Sequence, residues 1–134
     1  MIMVDTSVWI DYFNGVENES TDTLHRLLGS NLIITGDIIV TEVLQGFRNE
    51  RDYLQAMASL LALGCIPMLG RENAVDTADF YRRLRKKGVT VRKTADMMIA
   101  TWCIKNSTPL LHNDRDFDKI ASHLPLKVIT GAQV

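Results

Sequence analysis

Short apolar runs alternate along this chain with longer stretches whose apolar positions recur every three or four residues. The run at residues 1–5, Met-Ile-Met-Val closed by Asp5, predicts a strand buried on both faces. Asp5, Thr6 and Ser7 supply capping chemistry for a helix starting near Val8. Residues 16–22 are polar and predict a loop, followed by a helix with Leu24, Leu27 and Leu28 on one face. Residues 31–35 predict the second strand, closed by Gly36. Residues 38–47, which carry Glu42, predict a helix. Residues 51–63 predict another, with Leu54, Met57, Leu60 and Leu61 at helical spacing and Gly64 as its stop.

The second half repeats the alternation. Residues 65–69 predict a short extended piece that Pro67 assigns to a sheet edge or a strand end. Asn73 predicts the cap of the next helix, with Ala74, Ala78, Tyr81 and Leu84 as its apolar stripe and Gly88 as its end. Thr94 predicts the N-cap of an apolar helix over 95–104. Residues 109–112 predict a strand, 117–124 a short helix and 126–130 a last strand. Strands and helices taking turns in this way predict an α/β fold, with a parallel sheet of four to five strands covered by helices on both faces.

Length and composition narrow the class. A chain of 134 residues predicts a single domain spanning 1–134. No run approaches the roughly 18 to 20 unbroken apolar residues of a membrane span, and the first residues lack the basic and small-residue features of an export leader. A cytoplasmic protein without a membrane partner is therefore expected. Cys65 and Cys103 are isolated in apolar surroundings and predict reduced core residues, with no zinc-binding spacing.

The formal charge of −1 conceals an asymmetry. Arg82, Arg83, Arg85, Lys86, Lys87, Arg92 and Lys93 are seven of the fifteen basic residues, in a stretch without an acid. Such a lobe on an otherwise acidic body attracts a polyanion; alternatively it is a solvated helix end, where cations are favoured.

Against that background the placement of the acids is informative. Asp5 and Asp114 stand where apolar strands end, Asp96 opens an apolar helix, and Glu42 lies within a helix beside Ile39 and Val43. Asp116 follows Asp114 by two. Taken singly, each has an ordinary reading as a cap, a turn residue or a half-buried helix position. Jointly they point elsewhere. In open parallel α/β sheets, ligands bind beyond the carboxyl ends of the strands. Ala100 and Cys103 follow Asp96 on one helix face and are small enough for that face to approach the sheet closely. Carboxylates gathered at one sheet edge are costly to desolvate unless a cation joins them, and an all-oxygen set suits Mg²⁺ or Mn²⁺.

Four stretches together resemble the PIN-domain family and, within it, the VapC-type toxins of bacterial toxin–antitoxin pairs. They are Val4-Asp5-Thr6-Ser7-Val8-Trp9, Thr41-Glu42-Val43-Leu44-Gln45-Gly46, Ala95-Asp96-Met97-Met98-Ile99-Ala100 and Leu110-Leu111-His112-Asn113-Asp114-Arg115-Asp116-Phe117. Each is short, but their order and spacing cover nearly the whole chain. The resemblance implies a three-layer PIN-like fold and a metal-dependent endoribonuclease leaving 5′-phosphate and 3′-hydroxyl ends. It also implies a cognate antitoxin that occludes the acidic pocket, and a homodimer. One position departs from the family pattern: His112 stands where a threonine is frequent. It reads as a stand-in for that hydroxyl, as a phosphate contact when protonated, or as a structural residue at a strand end.

With that resemblance, Asp5, Asp96 and Asp114 are expected as direct or water-mediated metal ligands, with Asp116 a secondary candidate for a second metal position. Glu42 is expected to orient or deprotonate the attacking water, and Thr6 or Ser7 to hydrogen-bond an acid or a phosphate oxygen. The basic lobe is expected to hold the RNA backbone. The competing readings are a structure-selective DNA nuclease on the same scaffold and a non-catalytic metal-binding regulatory or interaction module.

Overall fold

The computed structural model describes residues 1–129. Five strands form one parallel sheet: β1 (Ile2–Val4), β2 (Ile33–Gly36), β3 (Gly64–Ile66), β4 (Leu110–Leu111) and β5 (Val128–Ile129). Their spatial order is β3-β2-β1-β4-β5. The helices of the described residues are α1 (Thr6–Phe13), α2 (Glu19–Leu27), α3 (Asp37–Leu44), α4 (Glu50–Leu61), α5 (Arg71–Lys86), α6 (Thr94–Lys105) and α7 (Arg115–Ala121). The expected α/β architecture and parallel sheet are both present.

The strand order positions the site. The chain winds outward from β1 through β2 to β3, and α5 and α6 then carry it back across to β4 on the other side of β1. The direction of winding therefore reverses between β1 and β4, the switch point where parallel sheets open a crevice at their carboxyl ends. Asp5 leaves β1 there, and its backbone N–H donates to Leu111 O on β4 at 2.9 Å. Met3, Val4, Leu110 and Leu111 are fully buried beneath that rim, packed with Val8, Trp9, Met97, Ile99 and Phe117. Helix α6 is buried over most of its circumference, and Ala100 and Cys103 are covered as their size predicts.

Several local expectations are corrected. Within the polar stretch 16–22 a helix begins, because Asn18 and Thr21 close a reciprocal capping box; Ser20, Thr21 and Thr23 are then buried. Asn73 does not cap α5. Gly70 occupies that position, and Asn73 is buried in the first turn, where its Nδ2 donates to Met68 O at 2.9 Å and Met98 O at 3.2 Å. The covered stripe of α5 is consequently Asn73, Thr77, Tyr81 and Leu84, while Ala74 and Ala78 face solvent. Lys93, not Thr94, is the N-cap of α6. On α4, Ala56 and Leu60 are buried but Leu54 and Leu61 remain exposed.

Cys65 lies on edge strand β3 and is exposed, whereas Cys103 is buried as expected; both are free thiols. Helix α7 starts two residues earlier than predicted because Asp114 caps it, accepting from Asp116 N at 2.9 Å. Of the predicted last strand 126–130, residues 128 and 129 pair with β4, Leu126 packs in the preceding loop, and Thr130 lies outside the described residues.

Candidate metal centre

Asp5 caps α1 through one oxygen only. Its Oδ2 accepts from Ser7 N at 3.0 Å and from Ser7 Oγ at 2.6 Å, while Oδ1 is buried with no hydrogen-bond partner among the described residues. The residue is 2% exposed. Burial raises its pKa above the ordinary carboxylate value, and the charge of Glu42 adds to the rise; the Ser7 hydrogen bonds oppose both.

Glu42 reaches the same region from α3. Its Oε1 accepts from Thr6 Oγ1 at 2.7 Å, so the residue after Asp5 also holds the second acid.

Asp96 lies in the first turn of α6 and is 4% exposed. Its Oδ2 is the second buried carboxylate oxygen without a partner among the described residues. Burial, followed by repulsion from Asp5, Asp114 and Glu42, lifts its pKa to about 7, with Lys93 offsetting part of the rise. That three acids from three other segments act on this one carboxyl is the electrostatic signature of convergence.

Asp114 and Asp116 enter from the turn after β4. One oxygen from each of Asp96, Asp114 and Asp116 lies within 4.8 Å of the others. Asp116, however, is already compensated. Its Oδ2 accepts from Arg92 Nε at 3.2 Å, and Lys119 Nζ stands 3.5 Å from Oδ1. Burial alone would raise its pKa, but Arg92 and Lys119 outweigh burial and the net shift is downward.

Ser7 braces the rim. While its Oγ donates to Asp5, it accepts the backbone N–H of Asn113 at 3.0 Å, tying the end of β1 to the turn that carries Asp114. Asn113 is held a second time, with Nδ2 donating to Asp11 Oδ2 at 2.9 Å. His112 opens that turn and is partly buried, its side chain 8% exposed.

The structure thus brings Asp5, Glu42, Asp96, Asp114 and Asp116 to one edge, with Thr6, Ser7 and His112 bound to the acids or their backbone. It divides the basic lobe. Arg92 is drawn to Asp116, and Arg83 pairs with Asp79 at 2.9 Å. Arg85 stacks over Tyr81, and Arg82, Lys86, Lys87 and Lys93 are exposed. Three features were not read from the sequence. Asp11 as a brace for Asn113 has no local signal. Arg92 is far from Asp116 in sequence. Lys119, three residues after Asp116, did carry a helical-spacing signal.

Two carboxylate oxygens buried without hydrogens to accept, in a donor set made only of oxygens, fit a hard divalent cation. Sulfur and imidazole donors that would favour zinc are missing from this cluster.

Comparison with known proteins agrees with the geometry. Residues 2–122 match the PIN domain family. A VapC ribonuclease of Mycobacterium bovis is 32% identical over 126 residues, covering 90% of this chain and 92% of that protein. The fold is similar to that of a DNA-bound VapBC complex of Salmonella typhimurium, with a TM-score of 0.77 at 18% identity, covering 96% of this chain and 98% of that one. It is also similar to VapBC-5 of Mycobacterium tuberculosis, a member of a toxin–antitoxin family, with a TM-score of 0.64 at 20% identity and 96% coverage of both chains.

Proposed function

The chain belongs to the PIN-domain family, and from that premise we propose that it is a metal-dependent endoribonuclease, the toxin of a toxin–antitoxin pair. The observation that carries the reading is the pair of unpartnered buried oxygens, Asp5 Oδ1 and Asp96 Oδ2, within a convergence of five acids. Asp5, Asp96 and Asp114 are the residues that would hold the ion, Mg²⁺ or Mn²⁺. Asp116 has the weakest claim among them, because Arg92 and Lys119 already meet its charge.

When bound, the ion supplies charge relief at the phosphoryl oxygens and acidifies water at neutral pH. The chain's own residues do the rest. Glu42, kept in one orientation by Thr6, accepts the proton of the attacking water. Ser7 fixes the Asp5 carboxylate and, through Asn113, its distance from the Asp114 turn. Exposed Arg82, Lys86, Lys87 and Lys93 attract the phosphate backbone towards the acids. In-line displacement then leaves a 5′-phosphate and a 3′-hydroxyl.

The partner follows from the same likeness. A 32%-identical relative is a VapC ribonuclease, and VapBC-5 is a toxin–antitoxin protein. We extend that organisation to this chain as an antitoxin partner and a homodimer, working as a single domain in the cytoplasm.

The test is cleavage of total RNA by the full chain with Mn²⁺, repeated with a chelator, with Asp5→Asn and with single-stranded DNA of matched sequence. Cleavage of RNA alone, abolished by chelator and by the substitution, is the expected result. Chelator-resistant cleavage, or an active Asp5→Asn protein, overturns it.

A further inference from the structure

We propose that His112 is a positioning residue for Asp114, acting through its Nδ1 as a fixed acceptor for the Asp114 backbone N–H. The contact is direct: Asp114 N donates to His112 Nδ1 at 3.1 Å. A backbone N–H is only ever a donor, so Nδ1 presents its lone pair and the ring proton resides on Nε2. There it faces Asp118 Oδ1 at 3.3 Å. The ring also packs on Phe117, with centroids 5.2 Å apart, and the backbone carbonyl of His112 accepts from Ser20 Oγ at 3.4 Å. Nδ1 and one ring face are therefore engaged, and Nε2 stands beside a carboxylate.

This arrangement chooses among the readings open from the sequence. Nδ1, whose lone pair is taken by the Asp114 N–H, has nothing to offer a phosphate, and Nε2 faces the Asp118 carboxylate. A threonine hydroxyl at this place would accept the N–H two residues on in a local turn. His112 Nδ1 supplies the same acceptor from a larger side chain.

The consequence passes to the carboxylate. With its N–H held by His112, Asp114 caps α7 through Oδ1, accepting from Asp116 N at 2.9 Å. The two bonds run in series from His112 to Asp114 to Asp116 and set the turn on which both acids stand. Removing a residue that orients a metal-binding carboxylate typically changes metal affinity by about 10- to 100-fold.

The inference rests on the metal reading given above, and the experiment separates the two. In the full chain, His112→Asn places an amide oxygen near the position of Nδ1, whereas His112→Gln extends its amide towards Asp118 and His112→Ala removes both. Mn²⁺ binding is measured by calorimetry, and exchange of the Asp114 amide by nitrogen-15 NMR without metal. Asn should bind Mn²⁺ within about threefold of the parent and keep the amide protected, while Gln and Ala bind at least about tenfold more weakly and exchange faster. A Gln variant equal to Asn, or an Ala variant equal to the parent, overturns the proposal. Should Ala fail to fold, the Asn and Gln pair decides. Should the parent bind no Mn²⁺, the metal reading fails, and Asp114 exchange alone judges His112: equal rates in the parent, Asn and Gln proteins refute it.

Discussion

Thr6 Oγ1 donates to Glu42 Oε1 at 2.7 Å, so the first residue of α1 fixes a carboxylate presented by α3. The bond spans two helices and lies beside Asp5. Its net worth to stability is about 0.5–1.5 kcal/mol, typical of a partly exposed pair. In the proposed mechanism its larger effect is to orient Glu42 as the proton acceptor. Thr6→Val keeps the shape and removes the donor. A rate on labelled RNA lower by about tenfold is expected, equivalent to about 1.4 kcal/mol in the barrier, with Thr6→Ser close to the parent. A Val variant that cleaves at the parent rate removes Thr6 from the reaction.

The Asp96 carboxyl makes stability depend on pH in an unusual direction. Its pKa is about 7 in the folded protein, against 3.8 as the ordinary value. Between those values the folded chain keeps a proton that the unfolded chain has released. The stability associated with protonated Asp96 is therefore fully present below the unfolded pKa and is lost as pH rises through about 7. In chelator, the melting temperature should decline from about pH 5 to about pH 7.5. Asp96→Asn should flatten much of that decline, leaving a residual slope from Asp5, which is raised as well. A parent protein whose melting temperature is level or rises across this window contradicts the assignment.

A cation bound by these acids, as proposed, would offset the penalty of gathering them. Mn²⁺ or Mg²⁺ at 100 times its dissociation constant should stabilise the fold by about 2.7 kcal/mol, read as a higher melting temperature. Asp5→Asn and Asp96→Asn should blunt the gain. Asp116→Asn should blunt it less, because its charge already belongs to Arg92 and Lys119. An Asp116→Asn protein that loses the response as completely as Asp96→Asn would make Asp116 an equal ligand.

The convergence of acids was legible in the sequence because it depends on where strands stop and helices start, which alternating apolar runs reveal. Asp5 after β1 and Asp114 after β4 follow from that logic and from the reversal of winding at the switch point. What the sequence did not disclose depends on side chains that change partner across distance. Nothing near Arg92 says that its guanidinium turns to Asp116. Asn73 has the composition of a cap but is buried, because the carbonyls of Met68 and Met98 accept both hydrogens of its amide. Cys65 has apolar neighbours in sequence, yet an edge strand leaves it exposed. Tertiary context overrides local propensity in each case.

That redistribution of partners also sharpens what the basic lobe should do. Of its seven cations, Arg83 and Arg92 are engaged in ion pairs, while Lys86, on the last turn of α5, and Arg82 are exposed. Arg85 lies over Tyr81, an arrangement that leaves its charge at the surface. Reversing the charge of Arg85 and Lys86 should weaken binding of single-stranded RNA. It should also flatten the dependence of log K on log salt by about 0.7 for each phosphate no longer neutralised. Reversal of Arg83, whose charge is met by Asp79, should change the slope less. The measurement is a salt titration of a labelled oligonucleotide in chelator, so that binding is read without cleavage. If the Arg85 and Lys86 reversal leaves affinity and slope as they were, the lobe is a solvated helix end and the RNA approaches the acids by another face.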